Sequence, residues 1–335
     1  MPRIAINGFG RIGRNTFKAG FEKSGFNVVA VNDLTDAKTL AHLLKYDSTY
    51  HAWNKKVSFD EKNIIVEGKK ISVLAEKDPS KLPWGKMKVD VVLECTGRFT
   101  SKDGASQHLT AGAKRVIISA PAKGGGVPTH VFGVNEKDVG TSTIINNASC
   151  TTNCIAPVAA IIHEAFGIKK AMMTTIHSYT ADQVLQDGPH TDLRRARSAA
   201  QNIVPTTTGA AIATTEVIPE LRGLFDGLSI RVPTPCVSLS DFTFLLKRKT
   251  TKGEVNDVLK KAAKNPMYKH ILDVTEEELV SSDFIGNAAS AIVDLPSTQV
   301  VDGDLVKVLA WYDNEWGYSH RLAEMAILVG GGVRR

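Results

Sequence analysis

A glycine-rich turn set between a short apolar strand and a helix constrains this chain more than any other feature. Arg3–Asn7 reads as a β-strand, and Gly8-Phe9-Gly10-Arg11-Ile12-Gly13 fits the pattern G-x-G-x-x-G. Asn15–Glu22 is compatible with a helix closing at Gly25, and Asn27–Asn32 reads as a second strand. That order makes a βαβ unit, whose strands run parallel and whose crossover is right-handed. The glycines permit a tight turn and let a pyrophosphate approach the backbone at a helix N-terminus, where unpaired amides and the helix dipole favour an anion. Asp33 stands 20 residues beyond Gly13, at the end of the second strand. A carboxylate there bonds the hydroxyls of an adenine ribose and repels a 2′-phosphate, so the expected cofactor is NAD rather than NADP. Glycines serving helix–sheet packing alone are the competing reading.

Further apolar runs at Val89–Cys95, Arg115–Ser119 and Thr143–Asn147 read as buried strands, separated by polar or helical stretches such as Lys102–Gly112. They extend the first unit into a doubly wound parallel sheet, an α/β domain of the Rossmann type. After Ser149 the texture changes to a helix-like Cys150–Phe166 and longer strands at Ala171–His177, Leu228–Val232 and Ser240–Lys247, an α+β domain with a mixed sheet. Pro157 disturbs that helix early, so its first turn is better founded than its length. Residues 252–264 carry one apolar stripe and read as a surface helix. A length of 335 residues fits two domains at about 150 residues each. The expected division is 1–149 and 150–313, with a closing helix in 314–335, its apolar face in Tyr318–Val329, returning to the first domain.

A hydrophobic share of 43% excludes a chain that is mainly disordered. The 41 basic and 35 acidic residues leave +6, an excess that suits anionic small ligands as well as nucleic acid. No concentrated basic arm or aromatic stacking pattern accompanies it, so nucleic acid is not expected as the primary partner. Cys95, Cys150, Cys154 and Cys236 are too few and scattered for a disulfide framework and read as reduced thiols of a cytoplasmic protein. Met1 leads straight into an apolar strand with no basic-then-apolar leader, and no run of 18 apolar residues occurs, so neither secretion nor membrane spanning is expected.

Ser149-Cys150-Thr151-Thr152-Asn153-Cys154 opens the helix that follows the strand at 143–147. A thiol in a first helical turn has its thiolate favoured by the dipole and the amides, while Ser149 and Thr151 offer donors to an oxyanion or phosphate. A cysteine there also fits as a small buried hydrophobe. Met173, Thr175 and His177 share one side of a strand by the period of two. Ligands gather at the carboxyl ends of strands in such folds, where His177 could meet Cys150 as a base; taken singly, a strand-end histidine is as well explained structurally. Arg231 alternates with Ile230 and Val232 and faces away from their apolar side. With Thr180, the Arg194/Arg195/Arg197 group and the turn Pro205-Thr206-Thr207-Thr208-Gly209, it supplies donors suited to anionic oxygens, each of which alone also fits a surface ion pair or turn. The weakly periodic segment between His177 and Gln201 has the character of a functional loop or a bridge between subunits.

Asn7-Gly8-Phe9-Gly10-Arg11-Ile12-Gly13-Arg14, Ser149-Cys150-Thr151-Thr152-Asn153-Cys154, His177-Ser178-Tyr179-Thr180 and Trp311-Tyr312-Asp313-Asn314-Glu315-Trp316-Gly317-Tyr318 together resemble the phosphorylating glyceraldehyde-3-phosphate dehydrogenases over essentially the whole chain. The resemblance implies a homotetramer that uses NAD, with no metal, to oxidise and phosphorylate glyceraldehyde 3-phosphate through a cysteine thioester. It implies Cys150 as nucleophile and His177 as base. Thr180, Arg195 and Arg231 would hold the substrate phosphate, and Ser149, Thr151, Thr208 and Gly209 the attacking phosphate. Asn314 would hold the nicotinamide amide, Arg11 and Ile12 would offer amides to the pyrophosphate alongside Gly8, Gly10 and Gly13, and Ser119 and Lys77 would lie near the adenosine half with Asp33. The 178–201 segment resembles the family's S-shaped loop, which reaches a neighbouring subunit's cofactor site. The nearest alternative is the sister erythrose-4-phosphate dehydrogenase, which hydrolyses the acyl group. The segments Ser178-Tyr179-Thr180 and Pro205–Gly209 favour the phosphorylating enzyme.

Overall fold

A computed structural model describes residues 1–331, so the last four residues of the expected closing helix lie outside the described residues. Two compact units emerge. The first comprises Met1–His130, Lys137–Ala148 and the chain from Ser319, and the second Val131–Glu136 with Ser149–Tyr318. The second unit thus keeps five residues beyond Asp313. Their attachment is local: Asp313 Oδ2 accepts from the Gly286 amide at 2.8 Å, its Oδ1 accepts from the Glu315 and Trp316 amides, and Ser238 Oγ meets Asn314 Oδ1 at 3.1 Å.

The first unit carries β1 (Arg3–Asn7), α1 (Arg11–Gly20), β2 (Asn27–Asn32), α2 (Ala37–Lys45), β3 (Val57–Phe59), β4 (Asn63–Val66), β5 (Lys69–Leu74), β6 (Val91–Glu94), α3 (Lys102–Thr110), β7 (Arg115–Ile118) and β8 (Ile144–Asn146). Its sheet runs β3-β4-β5-β2-β1-β6-β7-β8. The six strands from β5 to β8 are parallel, and the order reverses between β1 and β6, the switch point where a doubly wound sheet opens a crevice for ligands. The sheet is not parallel throughout: β3 and β4 form an antiparallel edge. Glu67 and Gly68, both at positive φ, close a two-residue hairpin between β4 and β5, a turn whose twist matches the strands it joins. Helix α1 begins at Arg11 rather than near Asn15, because Gly10 already serves as its N-cap. Trp84, Val89, Val92, Ala5 and Ala30 pack as one core cluster, and Ala105, Val116, Ile118 and Ile144 as another.

The second unit carries α4 (Cys150–Phe166), β9 (Ile168–Ser178), β10 (Val204–Thr206), α5 (Ala210–Val217), β11 (Phe225–Val232), β12 (Ser238–Leu246), α6 (Lys252–Ala263), β13 (Leu272–Thr275), β14 (Ala291–Val301) and β15 (Leu305–Tyr312); α7 (Trp316–Val329) follows and from Ser319 on belongs to the first unit. Its mixed sheet runs β10-β11-β9-β12-β15-β14-β13, with β9·β11 and β13·β14 parallel and the other pairs antiparallel. Helix α4 crosses one face of this sheet and continues unbroken through Pro157 to Phe166. A proline inside a helix costs about 3 kcal/mol. Burial of Cys154, Ile155, Val158, Ile161, Ile162 and Phe166 offsets that loss, at about 1.5–3 kcal/mol for each large aliphatic or aromatic side chain.

Candidate active site

Helix α4 starts at Cys150 because Ser149 caps it: Ser149 Oγ accepts the Thr152 amide at 3.0 Å. The cap places the Cys150 thiol in the first turn, among amides with no partner inside the helix. Strand β9 brings His177 to meet it. Along β9, Met173, Thr175 and His177 fall on the buried face, as alternation requires, and Cys150 Sγ lies 3.5 Å from His177 Nε2. The other ring nitrogen settles the tautomer. Nδ1 lies 2.6 Å from the carbonyl oxygen of Ser178, to which it can only donate, so Nε2 carries no proton in the neutral ring and accepts from the thiol.

Burial pushes the Cys150 thiol up, while the Arg231 guanidinium and the Thr151 hydroxyl and amide pull it down. Burial also presses the His177 imidazole down, to about 3; Arg231 and Arg195 add to that, against the Ser178 carbonyl. Each group taken alone therefore resists charge. Passing the thiol proton to Nε2 instead creates a pair with no net charge, whose attraction is about 5 kcal/mol at an effective dielectric constant of about 20. Thiolate formation is thereby coupled to His177 and to whatever reactant accepts the sulfur's electrons.

Arg231 sits opposite His177 in the parallel β9·β11 register. It lies on the same face as the buried Phe225 and Ser229, and it is the Leu228 side of β11 that is open to solvent, the reverse of the polarity expected from Ile230 and Val232. Its Nη1 donates to Thr180 Oγ1 at 3.1 Å and, at 3.4 Å, to the same Ser178 carbonyl that His177 uses. Its buried Nε has no hydrogen-bond partner among the described residues, a donor left over for a ligand. Arg195 is fixed by Asp182 at 2.7 Å, Thr206 Oγ1 at 2.9 Å and the Thr207 carbonyl at 3.1 Å. Its charge and that of Arg231 repel one another, so the two guanidiniums share a region that favours an anion. By contrast Arg194 turns to the Pro205 carbonyl and Arg197 to Asp187. Thr208 and Gly209 open α5, with Gly209 as N-cap and Thr208 Oγ1 accepting the Ala210 amide at 3.2 Å.

Sequence reasoning assigned no role to Tyr312. Its phenol oxygen lies 2.9 Å from Thr151 Oγ1 and 2.8 Å from Thr175 Oγ1, and its ring meets His177 edge-on at 6.1 Å between centroids. It buttresses both partners of the thiol–imidazole pair. Alternation along β15 would have placed Tyr312 on the buried face, but only the sheet order brings it under α4. Asn314 is buried and tied to the end of β9 through β12: the Ser178 amide donates to Ser238 Oγ at 3.2 Å, which in turn bonds Asn314 Oδ1, leaving Nδ2 as a donor.

In the first unit the three glycines do three different jobs. Gly8 adopts φ +91°, and a Cβ on it would lie 2.7 Å from the Cys95 carbonyl carbon. A Cβ on Gly10 would meet nothing within 4 Å, so a ligand can approach that backbone; a Cβ on Gly13 would overlap the Gly8 carbonyl oxygen. This is the division of labour that a pyrophosphate cradle needs. Asp33 Oδ2 accepts the Phe9 amide at 2.7 Å, which fixes the carboxylate beside the glycine turn. The Arg11 side chain turns to Asp47 at 3.1 Å, and the Arg11 and Ile12 amides lie in the first turn of α1. Ser119 follows β7, its amide bonded to the Glu94 carbonyl, and Lys77 is exposed on the loop after β5. Among the described residues no group of three or more His, Cys, Asp or Glu side chains could hold a metal ion, and no helix is long and apolar enough to cross a membrane.

Comparison with known proteins gives a consistent picture. Residues 2–102 match the family model described as glyceraldehyde 3-phosphate dehydrogenase, NAD binding domain, and residues 149–314 match its C-terminal domain. The chain is 54% identical over 329 residues to a glyceraldehyde-3-phosphate dehydrogenase of Geobacillus stearothermophilus, with 98% of each chain covered. It is 53% identical over 331 residues to that of Borreliella burgdorferi, covering 97% of this chain and 98% of the relative. It is 54% identical over 328 residues to glyceraldehyde-3-phosphate dehydrogenase 1 of Bacillus cereus, covering 97% and 98%.

Proposed function

The chain belongs to the glyceraldehyde-3-phosphate dehydrogenase family, and from that premise we propose that Cys150 carries out the reaction as a covalent nucleophile with His177 as its base. The activity is NAD-dependent oxidation and phosphorylation of glyceraldehyde 3-phosphate to 1,3-bisphosphoglycerate. The observation that carries the residue assignment is the 3.5 Å approach of Cys150 Sγ to a His177 Nε2 whose tautomer is fixed by Ser178.

Sγ attacks the aldehyde carbon as its proton passes to Nε2, and the hemithioacetal oxygen takes hydrogen bonds from the α4 N-terminus and from His177. NAD, when bound, supplies the acceptor for the hydride. The acyl group then remains on Cys150 as a thioester, which retains the oxidation energy until inorganic phosphate displaces the sulfur. Arg231, with its unused Nε, Thr180 and Arg195 hold the substrate phosphate. Ser149, Thr151, Thr208 and Gly209 receive the attacking phosphate at the two helix N-termini. Gly8, Gly10, Arg11, Ile12 and Gly13 cradle the pyrophosphate, Asp33 takes the adenine ribose, Ser119 and Lys77 flank the adenosine, and Asn314 Nδ2 orients the nicotinamide amide.

The active form is read as a homotetramer of the cytoplasm. In the 178–201 segment Leu185 and Leu193 are 79% and 81% exposed, and just beyond it Ile203 is 71% exposed, a cost in water that a second copy would remove. The four cysteines are free, in keeping with a reducing compartment. Replacing Cys150 tests the assignment: Cys150→Ala should abolish NADH formation while a titration still shows NAD binding, and turnover retained by that variant would overturn the covalent course.

A further inference from the structure

A carboxylate that the reaction does not use lies at the centre of the first unit. Glu94, at the carboxyl end of β6, is 1% exposed, and among the described residues it pairs with no lysine or arginine. Four donors converge on it instead. Asn7 Nδ2 reaches Oε2 at 2.6 Å and His108 Nε2 reaches the same oxygen at 3.0 Å, while the Thr96 amide, at 2.8 Å, and the Thr96 hydroxyl both meet Oε1. The direction at His108 is forced. The indole of the fully buried Trp84 can only donate, and its Nε1 lies 3.1 Å from His108 Nδ1, so Nδ1 is unprotonated and Nε2–H points at Glu94.

The direction propagates. Because Asn7 gives its amide nitrogen to Glu94, its Oδ1 faces outward and accepts Asn32 Nδ2 at 2.7 Å. Asn32 then presents Oδ1 to the Glu76 amide and Nδ2 to the Glu76 carbonyl, both at 2.9 Å. Backbone bonds follow the same path, from the Gly8 amide to the Asn32 carbonyl at 2.8 Å and from the Cys95 amide to the Asn7 carbonyl at 2.7 Å. Every member of this chain immediately precedes a position of the cofactor cradle or its wall: Asn7 precedes Gly8, Asn32 precedes Asp33, Glu76 precedes Lys77, and Glu94 precedes the Cys95 backbone against which Gly8 is packed.

We propose that Glu94 is a positioning residue for dinucleotide binding: as an acceptor without a proton to give, it orients Asn7 and through it Asn32, and so holds the loops that begin at Gly8, Asp33 and Lys77 in mutual register. This rests on the cofactor reading above. A neutral amide in its place would turn an N–H toward donors on one side or the other, and the chain of orientations would break at its first link.

Glu94→Gln in the full chain tests this by calorimetric titration with NAD, read beside the rate at which iodoacetamide alkylates Cys150 in the absence of cofactor. The NAD dissociation constant should rise by about tenfold or more, as expected for a buried charge-assisted network losing its acceptor, with the alkylation rate within about twofold of wild type. Unchanged NAD affinity overturns the proposal, and so does a parallel fall in alkylation, which would mark a general disturbance of the fold. Failure of the wild-type chain to bind NAD would instead remove the cofactor reading itself. Should Glu94→Gln not fold, Asn7→Ser keeps the carboxylate and removes the amide that it orients. It should then show the same split, and unaltered NAD affinity there would again overturn the proposal.

Discussion

Cys150 and His177 divide one proton between two groups that burial would each keep neutral. His177→Asn removes the acceptor and leaves the thiol with Arg231 and Thr151 against burial, so the thiolate fraction at neutral pH falls and the alkylation profile moves to higher pH. The same change should slow acylation by about 10²–10⁴-fold, the usual worth of a general base. Rapid-mixing measurements of NADH formation would show the second effect and a pH series of iodoacetamide inactivation the first; an unshifted series would mean that another group takes the proton. Both residues were legible in the sequence as types in suggestive places, a thiol opening a helix and an imidazole ending a strand. Their meeting was legible as well, from the clustering of ligand groups at strand ends and from the family resemblance, but not its 3.5 Å geometry or the tautomer that Ser178 fixes, because these depend on α4 lying across β9 in a sheet whose order no local pattern records. The same reason hid Tyr312 and turned Arg231 toward the covered face of β11.

At the scale of elements, α1 and its glycine turn make the sharpest case. Gly10→Ala adds a methyl where nothing lies within 4 Å, so the denaturation midpoint should stay put while NAD binding weakens through obstruction of the pyrophosphate. Gly13→Ala drives a methyl into the Gly8 carbonyl oxygen and should cost about 1–3 kcal/mol of stability as well as NAD affinity. Urea unfolding and NAD titration of the pair would contradict this if both variants lost stability equally. The strands β1 and β2 and the helix α4 were readable to the residue because each has a one-directional signal: an apolar run bounded by glycine or asparagine, or a serine cap before a long apolar segment. The edge hairpin of β3, β4 and β5 was not, since Glu67-Gly68 is a weaker turn signal than Asn-Gly, and the strands beside it are short and half exposed. Pro157 misled in the opposite direction, because burial of the helix around it outweighs the one backbone bond it cannot make.

For the whole molecule, the proposed assembly ties the exposed leucines of the 178–201 segment to function. Leu193→Asp should shift the sedimentation of the chain toward smaller species and weaken NAD binding with it; a wild-type protein that sediments as a single chain at micromolar concentration would contradict the assembly. The catalytic account stands on one intermediate, the acyl group held by Cys150 until phosphate arrives. The most direct measurement is therefore the absorbance of NADH after wild-type enzyme is mixed with NAD and glyceraldehyde 3-phosphate in phosphate-free buffer. The account predicts a rapid burst approaching one equivalent of NADH per subunit that then stalls, resumes on addition of inorganic phosphate, and is absent from Cys150→Ala. Steady NADH formation without phosphate, at the rate seen with it, would contradict it.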